Sequence, residues 1–313
     1  MPMPLSTTDL LALLAAIPLA ALGGELFLKG VLGVASLLRL PKLLVATSLA
    51  AFATSGPELT VSTMAALAGR PEIGLGDALG SNVVNFALIL GFALLFRALP
   101  ARLYELRRDF VLALVVPILT LMLAADGTLS RTDGAFLLML CVLWLVLIAK
   151  QAIKHRRDTT QVDTESPGKS AHAWLFVLVG LTCLLLAGHL FVTGASGIAT
   201  ALGMHSYVIG ATVVAIGTSL PELVTTLLSR WRGHDDLGLG ILLGSNLFNG
   251  LAVVGIAAVI YPIQAPPREV AVALVFGVLT VLLILPRNGV ISRRRGLGLL
   301  AAYMAYVAVT LTR

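Results

Sequence analysis

Two short segments of this chain hold the ingredients of an ion site made of oxygen. The first reads Thr54-Ser55-Gly56-Pro57-Glu58-Leu59, then Gly80-Ser81-Asn82-Val83-Val84-Asn85. The second reads Thr218-Ser219-Leu220-Pro221-Glu222-Leu223, then Gly244-Ser245-Asn246-Leu247-Phe248-Asn249. Glu58 and Glu222 each sit near the middle of an apolar stretch, where an unpartnered carboxylate is expensive and therefore points to function. Each follows a proline, which has no N–H and so frees a carbonyl one turn earlier. The freed carbonyls, around Ala53/Thr54 and Gly217/Thr218, become ligands if the helix opens there. Broken helices of this kind are tolerated at membrane depth where they line a cavity.

Thr54 and Glu58 are four residues apart, as are Ser81 and Asn85, Thr218 and Glu222, and Ser245 and Asn249, so each pair shares a helix face. If the Pro-Glu helices face the Ser/Asn helices, two carboxylates, two amide oxygens, several hydroxyls and bent carbonyls converge. All are hard donors, and Ca²⁺ takes about 6–8 of them in irregular geometry. No His or Cys joins the set, which argues against zinc or copper. Gly80 and Gly244 are expected to let neighbouring backbones approach. Any one of these Thr, Ser or Asn residues alone reads as interhelical glue. The duplicated set with both glutamates does not.

The elements that must position these residues are membrane helices. The chain has 313 residues, 58% hydrophobic and 12% charged, too little polar surface for a soluble domain of that size. With about 20 apolar residues needed per span, the pattern predicts an all-α polytopic protein. Its ten helices fall near 8–38, 42–68, 73–97, 108–125, 133–152, 172–202, 205–231, 238–262, 268–286 and 295–312. Seventeen Lys and Arg fall in one alternate set of loops, Arg230 and Arg232 among them, and four in the other. Positive loops stay cytoplasmic, so both termini are expected outside, in an inner (plasma) membrane. The basic residues therefore read as topology signals and not as a nucleic-acid surface. No basic residue precedes Lys29, so the first apolar stretch reads as a retained helix and not a cleaved signal. Cys141 and Cys183 lie inside apolar runs and read as packed thiols.

The two segments are copies. An offset of 164 residues aligns both Pro-Glu motifs and both Ser-Asn-x-x-Asn motifs, and also Gly24, Leu26, Phe27 and Gly30 with Gly188, Leu190, Phe191 and Gly194. The expected units are residues 1–153, a polar cytoplasmic linker at 154–171, and residues 172–313. Five helices per unit is an odd number, so the two repeats are expected to be inverted about a pseudo-two-fold axis in the membrane plane.

The twice-repeated pattern, with Gly24-Glu25-Leu26-Phe27-Leu28-Lys29-Gly30, resembles the α-repeats of the calcium:cation antiporter superfamily, in particular the prokaryotic sodium/calcium exchangers. The resemblance implies that Glu58 and Glu222 coordinate Ca²⁺ and share in Na⁺ binding. Thr54 and Thr218 would contribute backbone carbonyls, Ser55, Ser81, Ser219 and Ser245 would line sodium sites, and Asn85 and Asn249 would complete the centre. It implies Na⁺/Ca²⁺ antiport by alternating access, with transported Ca²⁺ and Na⁺ as the ions, the bilayer as surroundings and no cofactor. The nearest alternatives are H⁺/Ca²⁺ or K⁺-dependent exchange in the same superfamily, and more remotely a cation channel. No nucleophile–base pair, metal motif or phosphate loop accompanies the glutamates, so an enzyme is not expected.

Three departures from the family pattern stand out. Gly56 replaces a bulkier residue, while Asp77 and Ile241 occupy positions where the family often has Asn. Asp77 reads either as a charge complementing the helix N-terminus or as a vestibule acid on the ion path. Glu25 and Lys29 read as an i,i+4 pair that neutralises itself or tunes a gate. Asp126 and Asp133 read as solvated loop acids. His189, which matches Glu25 in the repeat, is expected to be packed or hydrogen-bonded.

Overall fold

The computed structural model describes residues 6–101, 103–158, 172–201, 215–265 and 267–311. Almost all of them are helical. In chain order the helices are α1 (Thr7–Leu38), α2 (Lys42–Thr54), α3 (Gly56–Leu67), α4 (Pro71–Phe96), α5 (Leu103–Leu123), α6 (Arg131–Asp158), α7 (Ala173–Ala201), α8 (Ala215–Thr218), α9 (Leu220–Trp231), α10 (Asp235–Ile260), α11 (Pro267–Ile284) and α12 (Arg293–Leu311). Six of these are long and apolar enough to cross a membrane, and Lys42–Thr54 and Val270–Ile284 are shorter apolar helices.

The expected boundaries agree to a few residues except in three respects. The helices expected at 42–68 and 205–231 are interrupted alike, at Ser55 and at Ser219, each two residues before a proline. The sixth helix of the structure runs to Asp158, beyond the expected 152 and into the expected linker. The rest of that linker, and residues 205–214 of the expected seventh helix, lie outside the described residues.

Burial sorts the helices into an inner and an outer group. In the apolar windows of α4 and α10, 72% and 83% of residues are buried, against 22% in α6 and α7. The two helices that carry Ser-Asn-x-x-Asn are thus the centre of the bundle. Large apolar side chains such as Ile17, Met122, Val142 and Leu178 face outward, a belt suited to lipid and not to water.

Helices α1 and α7 pack antiparallel along their length. Gly23 lies against Cys183 and Leu184, Gly30 against Val177, and Gly33 against Ala173. Small residues at such a contact allow backbones to approach without a hydrophobic driving force.

Two short antiparallel ladders tie the connections between helices. β1 (Leu99–Pro100) pairs with β4 (Val290–Ile291), and β2 (Thr128–Leu129) with β3 (Ile263–Gln264). β1 and β3 are related by the same 164-residue offset as the motifs.

Candidate ion-binding site

The Pro-Glu segments form two helix breaks of the same shape. Ser55 has φ −80° and ψ 13°, and Ser219 has φ −85° and ψ 13°. In each case proline occupies the first turn of the following helix and cannot donate to the carbonyl four residues back, Ala53 or Gly217. Gly56 has nothing within 4 Å of a built Cβ, so the first break stands beside open space. Gly188 of α7 lies against the Gly217 carbonyl, where an added Cβ would sit 2.9 Å from the oxygen.

These breaks bring the glutamates together across the repeat. Ser55 donates its hydroxyl to Glu222 Oε1 at 3.4 Å, and Ser219 donates to Glu58 Oε1 at 3.3 Å. The two bonds are images of one another under the 164-residue offset. Ser245 adds a bond to Glu222 Oε1 at 3.0 Å and touches the Thr54 hydroxyl at 3.4 Å. Both glutamates are fully buried, as are Thr54, Ser55, Ser81, Asn85, Ser219, Ser245 and Asn249, and Thr218 is nearly so.

The central helices meet by a second reciprocal pair. Asn82 Nδ2 donates to the Asn246 carbonyl at 3.2 Å, and Asn246 Nδ2 donates to the Asn82 carbonyl at 3.0 Å. Asn85 donates to Asn246 Oδ1 at 2.9 Å. Asn85 and Asn249 each begin or lie within a π-helical turn, Val84–Leu90 and Asn249–Val253. Such turns often mark functional positions, because the wider ring leaves carbonyls and side chains displaced from the regular ladder.

The set is incomplete as a hydrogen-bond network. Glu58 Oε2, Glu222 Oε2, Ser81 Oγ, Asn85 Oδ1 and both polar atoms of Asn249 are buried without a partner among the described residues. Buried polar atoms are ordinarily satisfied, and each orphan costs about 1–3 kcal/mol, more when charged. Unsatisfied oxygens at this density fit a cation as the missing partner. Among the described residues no trio of His, Cys, Asp and Glu is placed to hold a metal. The donors here are hydroxyls and amides around two carboxylates.

Several expectations change. Thr54 and Glu58 lie on either side of the break at Ser55, and the Thr54 hydroxyl meets Ser245 and the Glu222 carboxylate across the repeat. Gly244 does lie against the backbone of Thr47, but Gly80 meets only the Tyr306 hydroxyl, at 3.6 Å, so no backbone approaches it. His189 is exposed and lines a cavity of about 610 Å³ beside Thr60, Thr218 and Pro221. Asp77 lies two turns into α4 and accepts a bond from Thr218 Oγ1 at 3.3 Å, so it faces the opposite broken helix. Asp126 caps its own turn through the Thr128 amide, and Asp133 accepts from Ser130.

Some functional contacts were not anticipated. Glu25 pairs with Lys29 at 3.3 Å as its spacing predicts, and also with Arg232 of the α9 end at 2.8 Å. Arg230 is no free loop charge: it is 6% exposed, pairs with Asp235 and donates to the Arg97 carbonyl. Arg97 itself holds Asp235 at 2.9 Å. Asn82 and Asn246 stood inside the repeated motif, and their duplication was the signal that could have marked them.

A helical membrane bundle with a buried, duplicated cluster of oxygen donors at its centre defines a cation transporter. The family model described as sodium/calcium exchanger protein matches residues 8–150 and 172–312, and the chain belongs to that family. It is 35% identical over 291 residues to the putative antiporter CaxA of Alkalimonas amylolytica, covering 90% of this chain and 91% of that one. It is 26% identical to the sodium/calcium exchanger MaX1 of Methanosarcina acetivorans, over 97% of this chain and 98% of that one. The solved structure of the sodium-calcium exchanger NCX_Mj soaked with Na⁺ and Sr²⁺ superposes with a TM-score of 0.83 at 27% identity, covering 96% of this chain and 98% of that chain.

Proposed function

We propose that this protein exchanges Ca²⁺ for Na⁺ by alternating access through ten spanning helices arranged as two inverted five-helix repeats, with both termini outside. The carrying observation is the reciprocal pair Ser55–Glu222 and Ser219–Glu58, with the second oxygen of each glutamate left unpartnered. Two carboxylates bridged across a pseudo-two-fold axis make one divalent site that both repeats share. The antiparallel packing of the equivalent helices α1 and α7 supports inversion. So do the two ladders, which join connections expected on the same side. Glu58 and Glu222 carry the charge. Ser55, Ser81, Ser219, Ser245, Asn85, Asn249 and the Thr54 and Thr218 carbonyls complete the Ca²⁺ and Na⁺ sites.

A second reading, H⁺ in place of Na⁺, is favoured by one feature: an unpartnered carboxylate oxygen in an apolar interior is also a place for a proton. The test is ⁴⁵Ca²⁺ uptake into proteoliposomes under an imposed outward gradient of Na⁺, K⁺ or H⁺, one at a time. Uptake driven by Na⁺ alone supports the proposal. Uptake driven only by H⁺ moves the protein to the second reading, and uptake needing no counter-ion gives a channel or uniporter.

A further inference from the structure

Asp77 is a third acid, half-buried, that the central site does not use. Its Oδ1 accepts from Thr218, whose wall opens on the cavity of about 610 Å³, and its Oδ2 is buried with no partner. It does not close with Glu58 and Glu222 on one point, since no trio of acids is placed for a single ion among the described residues. It is nonetheless near enough for its charge to act on Glu58, whose own Oε2 is orphaned in a fully buried residue.

Position along the helices gives this acid a side. α4 runs inward from Pro71, so Asp77 precedes Asn85 by two turns on the end where α4 begins. Thr218 precedes Glu222 by one turn on a segment running the same way. The cavity beside it is walled by Thr60 and Val61, which lie beyond Pro57 toward that same end. On the other side of the centre the image of Thr218 is Thr54, and the image of Asp77 under the 164-residue offset is Ile241, a fully buried aliphatic side chain. Thr54 meets Ser245 there and bonds the Glu222 carboxylate of the centre itself.

We propose that Asp77 and Thr218 form an antechamber subsite for a divalent cation between the cavity and Glu58, on one face of the membrane only. The proposal rests on the exchanger reading and its sidedness. A hydrated ion entering the cavity meets Thr218 in its wall first and the Asp77 carboxylate bonded behind it, sheds part of its water, and passes to Glu58. An ion arriving from the opposite face meets Ile241 in the equivalent place and has no such foothold. The two faces therefore differ in apparent Ca²⁺ affinity, with the tighter face outside.

Asp77→Asn keeps size and hydrogen bonding and removes the charge. In right-side-out and everted membrane vesicles it should raise the outer half-saturating Ca²⁺ concentration about tenfold, and several-fold more than the inner one. Asp77→Glu, which restores the charge, should keep the ratio of the two closer to that of the parent protein. An Asp77→Asn protein whose outer and inner values move together, or not at all, overturns the antechamber. As a check that needs no variant, La³⁺ should inhibit the unaltered protein at a concentration about tenfold lower from outside than from inside, because three charges gain most from an added carboxylate. Equal potency from both faces also overturns it. The exchanger reading fails separately, if the parent protein moves no Ca²⁺ under any counter-ion gradient.

Discussion

At the scale of single residues, charge separates the glutamates from the amides around them. Glu58→Gln and Glu222→Gln each remove one of two charges from the proposed divalent site while keeping side-chain size, so each should abolish Ca²⁺ transport with normal expression. Asn85→Ala and Asn249→Ala remove an oxygen without touching charge. They should weaken ion binding and shift the Na⁺/Ca²⁺ preference instead of stopping transport. The measurement is ⁴⁵Ca²⁺ exchange alongside membrane yield. Glutamine variants that exchange at the parent rate would place those carboxylates outside the site. The motif residues were legible because Pro-Glu and Ser-Asn-x-x-Asn recur in one register, which apolar bias alone does not produce. The partners were less so. That Thr54 meets Ser245 and Glu222 across the repeat depends on the turn at Ser55, and a four-residue spacing predicts a shared face only while the helix is continuous. The exposure of His189 depends on which side of α7 the cavity opens, which no local pattern encodes.

At the scale of elements, the two sides of the α1/α7 pair are unequal. Gly24 of α1 lies against Val224 and Leu228 of α9. The offset places the image of that contact between α7 and Thr60 of α3, and there the structure has the cavity. In the proposed alternating-access cycle, exchanging the roles of the repeats would close the cavity and open the α1/α9 seam. The Glu25–Arg232 pair joins α1 to the end of α9 and would part if that seam opened. Its image positions hold His189 and Ala68, which form no ion pair, so the strap exists on one side only. Both side chains are partly solvated, and a pair of this kind is worth under about 1 kcal/mol. It biases the two states without locking either. Glu25→Gln or Arg232→Gln should therefore increase cytoplasmic maleimide labelling of a Val224→Cys reporter by up to about fivefold. The reversed pair Glu25→Arg with Arg232→Glu should restore it. Unchanged labelling in both single variants makes this a solvated surface pair and nothing more. The sequence showed Glu25 with Lys29 because i,i+4 spacing is local. Arg232, 207 residues away, needed the fold.

At the scale of the whole molecule, coupling follows from the charge of the shared centre. Empty, with Glu58 and Glu222 ionised, it carries −2, and an uncompensated charge resists passage through a low-dielectric barrier. One Ca²⁺ neutralises it. Two Na⁺ also do, and a third leaves +1, which the surrounding hydroxyls and carbonyls can accommodate. In the proposed cycle filled centres would change access and empty ones would not, so flux in one direction would require an ion in the other. The likeness to sodium/calcium exchangers leads us to expect three Na⁺ per Ca²⁺, which moves one net charge per cycle, and a charge in a 100 mV field is worth about 2.3 kcal/mol. Ca²⁺ uptake under a fixed outward Na⁺ gradient should then accelerate as the side receiving Na⁺ is made negative. The measurement is uptake in proteoliposomes held at several potentials with K⁺ and valinomycin, once K⁺ alone has been shown not to drive transport. Flux that ignores potential would mean an electroneutral cycle, with two Na⁺ or two H⁺ per Ca²⁺. In that cycle both filled forms of the centre are neutral, which is the outcome expected if the surrounding oxygens hold no third ion.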